Sequence, residues 1–191
     1  MGLSTIILAA GQGTRMRSDL PKVLQSLAGK PLLGHVLDCA ATLAADDVCV
    51  VYGHGGESVP NAFPADSLRW ALQDEQLGTG HALQQAMPDT PDANRVLVLF
   101  GDVPLLLPVT CQRLLDETPA GDVAVLTVDM DDPTGYGRII RESGSVSCIV
   151  EEKDAGPDEK AVREINTGVM VGPADKLRAW LKNLGNDNAQ G

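Results

Sequence analysis

The chain has 191 residues, 43% of them hydrophobic, which suits one globular domain with a buried core rather than two domains. Its formal net charge of -11 disfavours a nucleic-acid partner, because such a surface repels a phosphate backbone. No run reaches the roughly 18 apolar residues of a membrane span and no signal peptide precedes the first predicted strand, so we expect a soluble cytoplasmic protein without membrane insertion.

Strand and helix signals alternate along the first hundred residues. Short apolar runs predict strands at residues 4–10, 48–52, 68–72 and 95–100. Helical spacing of apolar residues predicts one helix from Pro31 onward, with the proline in its first turn, and another over residues 79–87. Strands separated by helices favour an α/β class with a mixed, mostly parallel sheet flanked by helices.

The second half of the chain has more closely spaced strand signals. Strands are predicted at residues 123–128, 137–141 and 146–151. Residues 142–145 are typical of a hairpin turn between the last two strands. We therefore expect an antiparallel β insertion here, followed by an amphipathic helix over residues 175–184.

The cysteines and histidines do not indicate a metal or redox site. The four cysteines lie in apolar segments without a C-x-x-C pair, so we expect buried, reduced thiols at Cys39, Cys49, Cys111 and Cys148. The three histidines are not spaced as a metal set, so we expect helix or loop residues without a catalytic role at His35, His54 and His81.

A glycine-rich loop follows the first predicted strand. Its sequence, GQGTRM at residues 11–16, lacks the third glycine of a dinucleotide-binding motif, and the only other candidate, residues 29–31, lacks the Ser or Thr of a P-loop. Closely spaced glycines can turn backbone N–H groups toward an anion. Arg15 and Lys22 add two cations, as a triphosphate requires. The alternative is a plain tight turn with solvated basic side chains.

Several motifs in one order resemble those of the sugar-phosphate nucleotidyltransferases. The motifs are LAAGQGTRM at 8–16, PKVL at 21–24, AGKP at 28–31, QDEQLGTGHA at 73–82, PTGYGRI at 133–139, VEEKDA at 150–155 and EINTG at 164–168. The later ones are similar to the uridyltransferase half of the bacterial bifunctional enzyme that makes UDP-N-acetylglucosamine. The resemblance implies a Rossmann-like, GT-A-like nucleotidyltransferase fold and a product used for peptidoglycan and lipopolysaccharide precursors.

The resemblance also implies a role for each matching residue. Arg15 and Lys22 would be the catalytic cations. The substrate-binding residues implied are Leu8, Ala9, Ala10, Gly11, Gly13, Thr14, Lys22, Gln73, Gly78, Thr79, Phe100, Gly101, Asp102, Gly137, Glu151 and Asn166. Within that set Gln73, Gly78 and Thr79 would read the uracil. Asp102 would hold Mg²⁺, and the last three would hold the sugar.

Some of these residues have simpler interpretations. Asp102 could instead satisfy backbone donors in its turn, as short acidic residues often do. Gln73 could be an ordinary exposed glutamine after a strand. Glu151 could belong to a solvated charge run, an interpretation that is stronger for Glu152 and Asp154. Phe100 stands where a tyrosine is also usual, at a cost of at most one hydrogen bond.

The reaction implied joins UTP and N-acetylglucosamine-1-phosphate into UDP-N-acetylglucosamine and pyrophosphate. The attacking phosphate oxygen is already an anion, so no general base is needed. Enzymes of this kind continue past the equivalent of Gly191 with a second magnesium ligand and a left-handed β-helix that acetylates glucosamine-1-phosphate and forms a homotrimer. We therefore expect residues 1–191 to be a C-terminally incomplete uridyltransferase domain with weak or absent activity and no acetyltransferase.

Two other functions stay open from the sequence. A thymidylyl or cytidylyl transferase would share the glycine loop, although the motif at residues 73–82 favours uridine. A non-catalytic nucleotide-sugar binding module is the alternative from a different class.

Overall fold

The computed structural model describes residues 2–11, 13, 16, 18, 20–53 and 55–184. The chain divides into two units, one made of Met1–Ala124 with Met170–Leu184, and the other of Val125–Val169. No helix in the described part of the chain is long and apolar enough to cross a membrane.

Helices and strands alternate in the first unit and strands dominate the second. The elements in chain order are β1 (Leu3–Leu8), a 3₁₀ turn (Lys22–Leu24), β2 (Ser26–Leu27), β3 (Lys30–Pro31), α1 (Leu32–Thr42), β4 (Asp47–Tyr52), α2 (Ser58–Asn61), β5 (Leu68–Leu72), α3 (Thr79–Ala86), β6 (Arg95–Phe100), α4 (Pro108–Glu117), β7 (Ala124–Asp129), β8 (Arg138–Glu142), β9 (Ser145–Val150), α5 (Pro157–Lys160), β10 (Glu164–Pro173) and α6 (Ala174–Leu181). Strand β10 belongs to the second unit as far as Val169 and to the first from Met170.

The sheet of the first unit is mostly parallel, as predicted. Strands β5, β4, β1 and β6 lie side by side in that order with parallel pairing, and the end of β10 pairs antiparallel with β6. One face packs against α3 and α6 through a core that contains Ile6, Val98 and Leu177. Ile7 and Val50 on the opposite face are also fully buried. Burial on both faces explains why these strands are largely apolar.

The second unit contains the antiparallel strands expected for this half of the chain. Strands β8 and β9 form a hairpin whose two turn residues, Ser143 and Gly144, both have positive φ, which suits the right-handed twist of the strands. Strand β10 pairs antiparallel with β8 and also pairs with β7. The predicted fold class, a mixed sheet with helices and an antiparallel insertion, is therefore confirmed.

Two ion pairs organise the second unit. The buried guanidinium of Arg138 donates to Glu152 Oε2 at 2.6 Å and to Val162 O at 3.1 Å. This pairing lowers the pKa of Glu152, so the interpretation of Glu152 as a merely solvated charge is wrong. Arg141 donates two hydrogen bonds to Glu164, which lower the pKa of that carboxyl to about 2.

A few local predictions were wrong. Pro31 precedes the first helical residue and acts as its N-cap, so α1 begins one residue later than expected. Cys148 is exposed, because it lies on the outer strand β9, whereas the other three cysteines are buried. Burial raises the pKa of Cys49 to about 11 and that of Cys111 to about 12, which keeps both thiols protonated.

Candidate functional site

The candidate site is a cleft at the carboxyl ends of the parallel strands β1, β5 and β6. The carboxyl ends of parallel strands meet at one edge of a sheet, where α/β folds bind ligands. Here the loops that follow these strands enclose a cleft of about 620 Å³. The residues that line it are Leu8, Ala9, Ala10, Gly11, Gly13, Met16, Lys22, Val23, Gln73, Gln76, Gly78, Thr79, Ala82, Phe100 and Asp102.

Most residues that the sequence predicted for the nucleotide therefore share one cleft. Gly101 is an exception, because its N–H donates to Leu8 O at 2.9 Å and it packs behind the wall. A Cβ at Gly101 would lie 3.1 Å from Ala9 Cβ, so the glycine permits the close packing of the two loops. Thr14 and Arg15 lie outside the described residues, so their predicted roles stay predictions.

A lysine and an aspartate form an ion pair on the cleft wall. Lys22 Nζ donates to Asp102 Oδ2 at 2.6 Å, although the two residues are 80 positions apart in the sequence. Their side chains remain 39% and 31% exposed, so both charges face the cleft. Among the described residues, no backbone donor is bonded to the Asp102 carboxylate. The alternative in which Asp102 only satisfies its own turn is therefore not supported.

Gly13 of the glycine loop lies close to the lysine. Gly13 has a φ of 60°, a conformation that an L side chain rarely adopts. A Cβ at Gly13 would also lie 2.6 Å from Lys22 Cβ. Any residue other than glycine here would strain the loop and push Lys22 away from the cleft wall.

Gln73 is a buried residue that also lines the cleft. It is 3% exposed, so the interpretation of an ordinary exposed glutamine is wrong. Its backbone N–H donates to Tyr52 O at 2.7 Å and continues the β4–β5 pairing. Its side-chain Nε2 donates to Gly78 O at 3.1 Å. Gly78 has a φ of 94° and directly precedes α3, and its carbonyl also accepts the N–H of Ala82 at 3.1 Å.

Gln76 is a cleft residue that sequence reasoning missed. Its Nε2 donates to Ala10 O at 3.1 Å and so ties the loop after β5 to the loop after β1. Gln76 belongs to the quoted motif at residues 73–82, but a polar residue among Asp, Glu and Leu carries no signal of its own. Only the adjacency of the two loops in the fold reveals the contact.

The three residues predicted to hold the sugar all belong to the second unit and lie together there. The backbone N–H of Asn166 donates to Gly137 O at 2.8 Å, and Asn166 Oδ1 accepts from Gly168 N at 2.8 Å. A Cβ at Gly137 would lie 2.9 Å from Glu151 Oε1, so the glycine makes room for that carboxylate. Glu151 is only partly exposed, unlike a residue of a freely solvated charge run.

The donor set of the cleft fits a magnesium ion that is shared with a nucleotide. The described residues contain no group of three His, Cys, Asp or Glu side chains that could hold a metal by themselves. Asp102 offers a single carboxylate on the cleft wall. Mg²⁺ is commonly held by one or two carboxylates together with substrate phosphates, which is compatible with this arrangement.

Comparisons with known proteins agree with the geometry. Residues 5–152 match the family model described as a MobA-like NTP transferase domain. The chain is 61% identical over 192 aligned positions to the bifunctional protein GlmU of Azoarcus sp. (strain BH72) and 53% identical over 189 positions to that of Herminiimonas arsenicoxydans, in each case with 99% of this chain and 42% of the relative covered. The chain thus spans less than half the length of these curated relatives.

A solved structure supports the fold alone. A nucleotidyl transferase from Methanothermobacter is 21% identical, with a TM-score of 0.68, and the match covers 99% of this chain and 79% of the other. Together these matches confirm the resemblance inferred from the sequence motifs.

Proposed function

Because this chain belongs to the MobA-like NTP transferase domain family, a family of nucleotidyltransferases, we propose that its cleft binds UTP and transfers the uridylyl group to N-acetylglucosamine-1-phosphate. The observation that carries the proposal is the Lys22–Asp102 pair on the wall of a cleft built by the glycine loop. It combines a cation for phosphate, a carboxylate for a metal and a loop of backbone amides. The identity to GlmU supports the choice of substrates.

The proposed reaction needs no acid or base from the protein. A phosphate oxygen of the sugar phosphate forms a bond to the α-phosphorus of UTP, and the bond from that phosphorus to the bridging oxygen breaks. The electron pair leaves with pyrophosphate. Negative charge develops on the α-phosphate and the leaving group, where a positioned ammonium group stabilises it. Lys22 supplies that group, and Arg15 is proposed as a second cation.

Asp102 is the residue that would hold Mg²⁺. The ion, when bound, neutralises phosphate charge and orients the triphosphate. In the protein described here Lys22 neutralises the same carboxylate. If magnesium and UTP bind as proposed, Asp102 would hold the metal and Lys22 would be free to contact a phosphate.

We propose that Gln73, with Gly78 and Thr79, binds the uracil, and that Gly137, Glu151 and Asn166 bind the N-acetylglucosamine portion. Gln73 and Gly78 are already bonded to each other at the cleft. The sugar residues are proposed from the resemblance, and their mutual contacts support the assignment.

The experiment is release of pyrophosphate from UTP in the presence of MgCl₂ and N-acetylglucosamine-1-phosphate. We expect release with UTP, little with CTP or dTTP, and none without the sugar phosphate. Equal release with dTTP or CTP would favour a thymidylyl or cytidylyl enzyme. Tight binding of Mg·UTP without any release would favour a non-catalytic binding module. We also propose a cytoplasmic location. If this chain is part of a longer protein like the relatives it matches, we propose that the longer protein forms a homotrimer.

A further inference from the structure

His81 contacts the proposed base-reading residue from outside the cleft. The ring belongs to the first turn of α3, and its Nδ1 lies 3.1 Å from Gln73 Nε2. One turn later, Gln85 Nε2 lies 3.0 Å from His81 Nε2 and 3.2 Å from His81 O. The proposed reaction gives His81 no task, and the ring does not line the cleft.

The orientation of the Gln73 amide follows from simple hydrogen-bond chemistry. A carbonyl oxygen can only accept, so the amide atom 3.1 Å from Gly78 O has to be the nitrogen. One of its two hydrogens goes to Gly78 O, and the other points at His81 Nδ1. With both hydrogens used, the amide offers only its oxygen to a ligand.

The oxygen is the atom of this amide that remains for a ligand. Gln73 lines the cleft, and its two amide hydrogens are directed at Gly78 O and at His81 Nδ1. Oε1 is therefore the hydrogen-bonding atom of this side chain that a ligand in the cleft can use. Position 3 of uracil is an N–H donor, whereas the same position of cytosine is an acceptor. An amide oxygen fixed in this place matches the first base and opposes the second.

The tautomer of His81 decides whether the second hydrogen of the Gln73 amide has an acceptor. A neutral imidazole accepts at one nitrogen and donates from the other. The two glutamines compete for the accepting nitrogen, since each directs an NH₂ group at the ring. Gln73 is 3% exposed and cannot turn to water, whereas Gln85 is only partly buried and can turn its amide. The bond from Gln73 to Nδ1 is therefore retained, and the proton is carried on Nε2.

We propose that His81 is a positioning residue for base selection: its unprotonated Nδ1 accepts the second hydrogen of the Gln73 amide and thereby leaves only an acceptor facing the base. This role rests on the proposed uridylyl function. Without His81, only the bond to Gly78 O holds the orientation of the amide; the amide can then turn and present its NH₂ group to an accepting base nitrogen, and discrimination against cytosine falls.

The first test needs no nucleotide. Long-range ¹H–¹⁵N NMR spectra of the chain separate protonated from unprotonated ring nitrogens, and the His81 signals are assigned by their loss in His81→Asn. We expect an unprotonated Nδ1 and a protonated Nε2 at neutral pH. The opposite tautomer would overturn the proposal.

The second test measures dissociation constants for UTP and CTP with MgCl₂ by calorimetry. His81→Leu removes the acceptor, and we expect the preference for UTP over CTP to fall about tenfold, the effect of one mismatched hydrogen bond. In His81→Asn the side-chain Oδ1 is as many bonds from the backbone as Nδ1, so this variant should restore most of the preference. His35→Leu is the matched control, because His35 is also a partly buried helical histidine but bonds Leu27 O away from the cleft.

The outcomes separate this role from the function on which it rests. An unchanged UTP-to-CTP ratio in His81→Leu, or an equal loss of both affinities, overturns the positioning role, as does a failure of His81→Asn to restore the ratio. A wild-type chain that binds CTP as tightly as UTP refutes the uridylyl proposal itself. The NMR spectrum then still decides whether His81 accepts from Gln73.

Discussion

Neutralising Lys22 should separate its proposed role in catalysis from its role in stability. Lys22→Met keeps most of the hydrocarbon stem, including the Cβ against which Gly13 packs, and removes only the charge. The lost ion pair with Asp102 joins two side chains that are 39% and 31% exposed, and such pairs contribute no more than about 1 kcal/mol. Loss of one group that stabilises transition-state charge costs roughly 3–4 kcal/mol, about a hundredfold or more in turnover.

We therefore expect turnover of UTP to fall about a hundredfold or more while the unfolding midpoint in urea changes little. Pyrophosphate release and urea titration, measured on the same preparation, make the comparison. Lys30→Met is a matched control, because Lys30 is 40% exposed and is also paired with an aspartate, Asp38, but it does not line the cleft. Normal turnover in folded Lys22→Met, or an equal loss in Lys30→Met, would refute the reasoning.

Three further experiments test other parts of the chain. Gly137→Ala should displace Glu151 and raise KM for the sugar phosphate about tenfold without weakening UTP binding. Gly156→Ala is the control, because a Cβ there would lie at an ordinary 3.5 Å from Glu159 Oε2, and it should change neither the KM nor the affinity for UTP. Glu164→Gln should lower the free energy of unfolding at pH 7 by about 1 kcal/mol, a modest figure because the partner arginine is 42% exposed. Since the folded pKa of Glu164 is lowered from 4.5 to about 2, this difference should disappear as the pH falls through that interval, and a constant difference would contradict the assignment. Ellman's reagent should modify Cys148 at once and the buried thiols only after unfolding, so rapid reaction of all four would contradict the packing.

The buried strands were predictable because burial requires mostly apolar residues, which give a clear strand signal. The central strands of the first sheet are covered on both faces, so they are largely apolar whichever strands they pair with. Strand β10 was missed because Gly168, Gly172 and Pro173 resemble a loop. Gly172 is in fact required by a tertiary contact, since a Cβ there would lie 2.8 Å from Val123 Cγ2. No local sequence pattern indicates this contact between Gly172 and Val123.

Helix α4 was missed for a different reason. It buries only Cys111 and Leu115, so its apolar positions are too few to give a clear helical period. Its attachment depends on α1, where Cys39 Sγ lies 4.0 Å from Cys111 Sγ. The helix is therefore stabilised by packing that involves residues far away in the sequence.

In the candidate site too, the sequence indicated which residues to expect, whereas their contacts depend on the fold. The family resemblance implied roles for Lys22 and Asp102 separately. Their ion pair arises because β1 and β6 are neighbours in the sheet, which brings the loops after them together. The bond from Gln76 to Ala10 likewise depends on two loops that are far apart in the chain.

The Lys22–Asp102 pair has a consequence for the order in which ligands bind. Magnesium alone would have to displace the ammonium group from the carboxylate and leave Lys22 unpaired beside a second cation. A nucleotide alone would draw Lys22 away and leave Asp102 facing the phosphates. Because a metal-bound triphosphate supplies a partner for both charges at once, joint binding avoids both repulsions. If the cleft binds a nucleoside triphosphate as proposed, it is electrostatically suited to take up the metal complex as one unit, and we expect its affinity for either component alone to be low.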